Sequence, residues 1–491
     1  MSSFAESVKD VFDKYFESKQ TKNSCNKVVY KLNDIDRLRR FVFLGSENNT
    51  MYANKTSLTT ENLVCLENLL KDEKYDDILN VIIEFKDRSF KKDYILYVLA
   101  RCCSVKVDEK TLSKDFKAYS FKLTNDICTI PTHLFLFIEL YEQINKTMYN
   151  TTGWNSYMKR MISHWYNSKS EKDLMYHITK YQNRNNWTHR DVLRLSHIKN
   201  SDINYNNIYR YIAQGQEIVT KVLTLYFQEH QEHPLVYLLA FEKLKTTESL
   251  EDVLLWIKKY NFVREHIPTR WLNEKSVWEA LLCNMPMTAM LRNLNKMTSL
   301  DLFDSTCNLQ LVINKLTKDT ILKSKVHPLQ ILITIKMYAQ GRGDRGSLNW
   351  TPNQKIIGAL NDAFYFAFDN VVPTNKRYLL ALDVSGSMSS ATVCGINCLS
   401  AAEVSCAMAM VYDHIEPNVK MMAFSDTFVP ISSRRLDDNL ASTRSINFGR
   451  TDCSLPMTWA LSEQKEYDCI IIFTDSETNC NKYEPSVALH P

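Results

Sequence analysis

Residues 377–389 read RYLLALDVSGSMS, and this stretch decides the fold of the C-terminal part of the chain. An unbroken apolar run ends at one carboxylate, Asp383, and small hydroxyl residues and a glycine follow at once. Such a run, bounded by turn residues, predicts a buried strand of a parallel sheet covered on both faces. The neighbouring segments agree. AAEVSCAMAMVYDHI (401–415) has helical length, KMMAFS (420–425) and FVPI (428–431) have strand character, LPMTWALSE (455–463) reads as a helix, and CIIIFTD (469–475) as another buried strand. Strands alternating with helices in this way predict an α/β domain from about Pro373 onward.

In an open α/β sheet, ligands gather at the carboxyl ends of the strands. Asp383, Ser385 and Ser387 fall just past one predicted strand, Asp475 just past another, and Thr451 on the loop FGRTDCS (448–454) between them. The donors are all oxygens, two carboxylates and three hydroxyls, with no histidine or thiolate. That set suits a small hard cation, Mg²⁺ above all, which takes octahedral oxygen ligands and keeps water. An Asp-Ser-Gly turn alone is common; its recurrence with T-D on a later loop and F-T-D closing a later strand makes the signal specific. Two-metal hydrolysis would need cations about 4 Å apart and carboxylates to bridge them. The loops offer only Asp383, Asp475, Asp452 and Glu477, with no placed general base, so the expectation is a binding site and not an enzyme.

Upstream the pattern changes. Glycine is scarce, 10 in 491 residues, against a usual share of about 7 percent, and strand-and-turn architectures need it. Apolar residues recur at three and four in ENLVCLENLLKDEKYDDILNVIIEF (61–85) and in EKSVWEALLCNMPMTAMLRNLNKM (274–297). Breaks fall at Pro131, Gly153, Pro234, Pro268, Pro286 and Pro328, between segments of helix length. This predicts stacked helix pairs, a diverged HEAT-like solenoid, over about 62–369. GRGDRGSLNWTP (341–352) reads as a loop before one more helix, NQKIIGALNDAFYFAF (353–368).

The thirteen cysteines lack zinc spacing, CGINC (394–398) included, and read as reduced thiols. The start, MSSFAESVKDVFDKYF, has no apolar signal core, and no run approaches a membrane span. The expected location is cytoplasmic, with the nucleus left open, and no membrane partner is expected.

One stretch is distinctly basic. Residues 159–221 hold eleven Lys or Arg against five Asp or Glu, a net of +6 in a chain whose net charge is +4. Within it, NWTHRDVLRLSHIK (186–199) opens with Thr188 as N-cap and Asp191 three residues on, a capping box. Arg190, Arg194 and His197 then line one helix face, while Val192, Leu193 and Leu195 are expected to pack inward. Lys172, Lys180 and Arg184 add charge just upstream, with Tyr176, Tyr181 and Trp187 as stacking surfaces. Basic groups interleaved with aromatics suit RNA. A solvated charged helix face is the plain alternative for any one of these residues.

The C-terminal part resembles a von Willebrand factor A domain with its metal-ion-dependent adhesion site (MIDAS), on DVSGSMS, the T-D of GRTD and the F-T-D of IIIFTDSE. That resemblance implies Ser385, Ser387 and Thr451 as direct Mg²⁺ ligands, with Asp383 and Asp475 acting through water. Arg450 stands where that family carries a small glycine, which puts positive charge beside the metal. The sequence runs 16 residues beyond Asp475, so a shortened A domain is expected, with CIIIF left as an apolar edge strand unless another segment covers it.

The helical part, through IPTHLFLFIEL (130–140), NRNNWTHRDVLRLSHIK (183–199), KSVWEALLCNMPMTAMLRNLNKMT (275–298) and HPLQILITIKMYAQGRG (327–343), resembles the TROVE module of the Ro ribonucleoproteins. GRTDCSLPMTWA (449–460) resembles their A domain. The fold so implied is mainly α, a HEAT-like helical-repeat ring followed by a doubly wound α/β domain that is C-terminally incomplete. The implied division is an N-terminal extension (1–22), a TROVE-like RNA-binding domain (23–372) and the A-like domain (373–491). The resemblance also implies binding of small non-coding Y-type RNAs on a basic outer surface, and of single-stranded 3′ ends of misfolded RNAs through the ring. It assigns RNA contact to His189, Arg190 and Arg194, and further to Lys172, Lys180 and Arg184. DNA is not an expected partner. The alternative function is an intracellular protein-interaction module that docks a partner carboxylate on the MIDAS magnesium. An adhesion role from Arg342-Gly343-Asp344 is set aside, because nothing signals secretion.

Overall fold

The computed structural model describes residues 20–22, 28–30, 32–45, 55–89, 91–106, 113–215, 217, 235–343, 346–393, 396–431, 435–446, 451–475 and 488. Arg450, Asp344, Cys394, Glu477 and most of the proposed N-terminal extension lie outside them. So does the segment after Asp475, residue 488 excepted. The chain divides into two compact units, one made of Leu32–Asn48 and Lys55–Asn273, the other containing Glu274–Pro491.

The described helices of the first unit are α1 (Asp34–Leu44), α2 (Lys55–Lys71), α3 (Tyr75–Phe85), α4 (Asp93–Cys103), α5 (Ser113–Ile127) and α6 (Pro131–Tyr149). They continue with α7 (Ser156–Asn167), α8 (Glu171–Lys180), α9 (His189–Ser196), α10 (Ile203–Gln214), α11 (Val236–Thr246) and α12 (Leu250–Tyr260). Local chemistry sets their starts. Pro131 opens α6, where its missing N–H costs nothing. The side chains of Asn155, Ser170 and Ser249 accept backbone N–H bonds at the N-termini of α7, α8 and α12, satisfying donors the helix leaves unpaired. In α3 the buried residues are Tyr75, Ile78, Leu79, Val81 and Ile82, the stripe a helix needs against its neighbours. Trp165, Tyr166, Phe135 and Phe137 are fully buried at the centre, each worth roughly 2 kcal/mol of apolar burial.

Two short antiparallel pairs are described outside the A-like domain. Strands β1 (Gln20–Lys22) and β2 (Val28–Tyr30) pair with Gln20 opposite Tyr30. Between α8 and α9, β3 (Asn183–Arg184) and β4 (Trp187–Thr188) form a hairpin closed by Asn185 and Asn186.

The second unit contributes α13 (Lys275–Asn284), α14 (Met287–Thr298), α15 (Thr306–Lys315), α16 (Lys318–Ser324), α17 (Pro328–Ala339) and α18 (Gln354–Phe366). Pro328 stands at the start of α17 and Pro286 caps α14. There follows a sheet of β5 (Arg377–Asp383), β6 (Asn418–Phe424), β7 (Phe428–Pro430) and β8 (Cys469–Phe473), in the order β7-β6-β5-β8. The helices among these strands are α19 (Gly386–Ser390), α20 (Ala401–Ile415), α21 (Leu436–Arg444) and α22 (Leu455–Ser462).

Strand β5 is central and buried from Tyr378 to its end. Its alternate residues enter opposite layers. Leu380 and Leu382 pack with Ala409 of α20 and Met421, while Leu379 packs with Met422 and Ala460 of α22. Helices therefore cover both faces. β5 runs parallel to β6 and β8, but β7 is antiparallel to β6, so the sheet is mixed and not purely parallel. The reason is length: only Ser425, Asp426 and Thr427 separate the two strands, enough for a hairpin and far short of a crossover. Among the described residues β8 pairs on one side only, with β5, and its five residues are all partly exposed.

Candidate functional sites

The first site forms where β5 ends. Asp383 is buried, and both of its carboxylate oxygens are held. Oδ1 accepts the Ser385 backbone N–H at 2.8 Å, and Oδ2 accepts the Thr474 hydroxyl at 2.6 Å. The Ser385 and Ser387 hydroxyl oxygens stand 3.0 Å apart, and the Ser387 hydroxyl donates to Asp475 Oδ1 at 3.1 Å. Parallel pairing aligns the carboxyl ends of β5 and β8 and thereby brings residues 385, 387 and 475 together.

Thr451 is buried on a loop fixed at the end of β6, where the Asp452 N–H donates to the Ser425 carbonyl at 3.0 Å. Asp452 does not face an open site. It is buried, and its Oδ1 accepts from the Ser454 N–H at 3.0 Å and the Ser454 hydroxyl at 2.6 Å. Among the described residues no group of three or more His, Cys, Asp and Glu side chains could hold a metal; the convergent donors are hydroxyls and single carboxylates.

This donor set fits the cation that the A-domain resemblance implies. Adjacent ligands of an octahedral shell with bonds of about 2.1 Å stand about 3.0 Å apart. The hydroxyl oxygens of Ser385 and Ser387, the two implied direct ligands that stand together, are 3.0 Å apart, while Asp475, implied to act through water, accepts from Ser387. Hard oxygens at that spacing match Mg²⁺ chemistry. Thr474 went unnoticed in the sequence, since a threonine before an aspartate is ordinary; only the pairing of β5 with β8 reveals it as the orienting partner of Asp383.

The second site lies on the first unit, around α8, the β3–β4 hairpin and α9. The capping box at α9 is present. Asp191 N–H donates to the Thr188 hydroxyl oxygen at 3.2 Å, and the Thr188 N–H donates back to Asp191 Oδ2 at 3.3 Å. Arg190, Arg194 and His197 are exposed, as are Lys172 and Arg184. Among the described residues, Lys172, Arg190 and Arg194 make no ion pair. Lys180 is half-buried: its ammonium donates to the Tyr176 hydroxyl at 3.0 Å and sits 5.2 and 5.1 Å from the Tyr176 and Tyr181 ring centres. Arg184 donates to the Asn183 carbonyl at 2.7 Å.

Two sequence expectations fail here. His189 does not share the surface of Arg190 and Arg194; it is only 4% exposed. Its Nδ1 lies 2.6 Å from the Tyr166 hydroxyl, its ring packs edge-on to Phe135, and no hydrogen-bond partner meets Nε2 among the described residues. Burial pushes its pKa down to about 3, so the ring is neutral. Leu195, expected inside, is 36% exposed. The inward face of α9 is His189, Val192 and Ser196, spaced three and four apart as helix geometry requires.

Comparison with known proteins places the chain in a wider set. The TROVE domain model matches residues 21–337, and the Ro60 vWA domain model matches residues 377–491. RNA-binding protein RO60 of Caenorhabditis elegans is 33% identical, with 96% of this chain and 82% of that protein covered. RNA-binding protein RO60 of Deinococcus radiodurans is 29% identical, with coverage of 96% and 86%. The crystal structure of the Deinococcus radiodurans RO (RSR) protein superposes with a TM-score of 0.77 at 26% identity, covering 93% of this chain and 89% of that one.

Proposed function

This chain belongs to the family of TROVE-domain Ro60 proteins, and from that premise we propose that it is an RNA-binding protein of small non-coding ribonucleoproteins. Its partners in this proposal are Y-type RNAs and the single-stranded 3′ ends of misfolded small RNAs, and its role is RNA quality control without catalysis. One observation carries the RNA-binding surface: Lys172, Arg190 and Arg194 are exposed on α8 and α9 without ion pairs among the described residues. Charges not neutralised within the protein are free to displace counterions from phosphates, which supplies salt-dependent affinity with little sequence preference. Lys180, held against two tyrosine rings, adds a cationic edge to an aromatic surface on which an unpaired base can stack.

The test is a binding titration with a stem–loop RNA carrying a single-stranded 3′ tail, and with the same RNA lacking the tail, at two salt concentrations. Tail-dependent, salt-sensitive binding is expected. Arg190→Ala/Arg194→Ala should weaken it and reduce the salt slope by roughly 1.5, the loss of two phosphate contacts. Tail-independent binding would leave a generic basic surface, and no binding would end the proposal.

The oxygen spacing at Ser385, Ser387 and Asp475 supports a second, compatible role, an intracellular docking site. Ser385, Ser387 and Thr451 would hold Mg²⁺, with Asp383 and Asp475 in the surrounding shell. The ion would supply a Lewis-acidic position for a partner's carboxylate. The protein's part is orientation: Thr474 and the Ser385 N–H fix Asp383, and the turn at Asp452 fixes the loop of Thr451. Loss of a protein partner in Ser385→Ala, with RNA affinity unchanged, would separate the two roles.

A further inference from the structure

Four of the five residues at 182–186 carry a side-chain amide, and all five are exposed. Four of these five residues, Asn183 to Asn186, belong to the β3–β4 hairpin, which is anchored at its tip. Asn185 and Asn186 both have positive φ, 52° and 60°, the conformation of the tight two-residue turn whose twist suits a hairpin. The Asn185 amide donates to Glu139 of α6 at 2.8 Å, which fastens the tip to a core helix. Trp187 is half-buried beneath it, with its ring 5.7 Å from that of Trp154. Among the described residues the amides of Asn183 and Asn186 make no hydrogen bond, so one element that is held in place presents two unspent donor–acceptor groups. Arg190 and Arg194 follow at once on α9.

We propose that the tip of the β3–β4 hairpin, through the Asn183 and Asn186 amides, reads the shallow groove of an RNA stem. This rests on the RNA-binding function proposed above and assigns within it the part that discriminates. Phosphate contacts fix position and carry no sequence information, whereas groups that bond to base edges and sugars select. An RNA stem displays its 2′-hydroxyls and base edges in a wide, shallow groove. A carboxamide can donate to one such group and accept from another. The arginines cannot accept at all, so the division of labour follows from their chemistry.

The experiment compares Asn183→Ala/Asn186→Gly and Asn186→Gly alone with the wild-type full chain. Glycine keeps the positive φ at 186 without strain, so the single variant removes the amide and leaves the turn. The probes are a 3′-tailed stem–loop RNA, the same molecule with every stem pair changed, and its counterpart with a 2′-deoxy stem. Wild type should prefer the first RNA over the deoxy stem. The double variant should lose roughly tenfold in affinity for it, the worth of one to two hydrogen bonds, with the salt slope unchanged. Wild-type binding that ignores the 2′-deoxy change overturns the inference, as do variants that bind every probe like wild type, while Arg190→Ala/Arg194→Ala still weakens binding and leaves the RNA function intact. If wild type binds none of the probes, the RNA function fails with it.

Discussion

His189 and Arg190 are consecutive and occupy opposite environments, one sealed beside Tyr166 and Phe135, the other in solvent. Their sequence neighbourhood makes both look basic; only the packing of α9 separates them. His189→Ala should destabilise the protein by about 2 kcal/mol in chemical denaturation, because it empties a buried site and leaves the Tyr166 hydroxyl unpaired. The hydroxyl loop after the central strand was more legible. Oxygen donors at strand ends carry their chemistry in their identity, and residues 385, 387 and 475 do meet in the structure. Addition of Mg²⁺ should raise the wild-type melting temperature through binding to the folded state, and Ser385→Ala should abolish the rise. A rise that survives the substitution would move the cation elsewhere.

Among the elements, those with a strong local signature were readable. The 401–415 helix and the central strand fall where the sequence placed them, because apolar runs and a capping box mark their ends. Thr188→Ala removes the corresponding cap of α9 and should cost about 1 kcal/mol in thermal or chemical unfolding. It should also weaken RNA binding without altering the salt slope, since no cation is lost. The antiparallel turn of β7 was not legible from strand character alone; the three-residue connection decides it. Helix α21 was missed because few of its residues are apolar; Leu436 and Leu440 are its buried hydrophobics. The β3–β4 hairpin was hidden by its length of two residues per strand, although the paired asparagines Asn185 and Asn186 are the trace it leaves.

Across the molecule, scarce glycine and helical periodicity announced a mainly helical fold, which the structure and its relatives share. Buried histidines give that fold an acid limit. Burial depresses the pKa of His189 to about 3, and burial, then the nearby Lys180 charge, depresses His266 to about 3. Unfolded, each would titrate near 6.5. Below that pH the unfolded chain binds protons that the native state refuses, so stability is full above about 6.5 and falls towards pH 3. The loss is about 1.4 kcal/mol per pH unit for each histidine. Urea midpoints measured from pH 7.5 to 4.5 should decline accordingly, and replacing His266 by Gln should flatten the decline.

Asparagine does here what glycine does elsewhere: five of the ten non-glycine residues with positive φ among those described are asparagines. Their amides are among the groups that heat degrades chemically. Two of the five, Asn185 and Asn186, stand at the hairpin tip just before Arg190. Conversion of either to aspartate would place a negative charge beside the cations of the proposed RNA surface, with the helices untouched. Aged protein should therefore fall silent towards RNA while its circular dichroism stays native, and peptide mapping by mass spectrometry would locate the altered residue. In this molecule the clock of chemical wear would run at the proposed recognition surface ahead of the core.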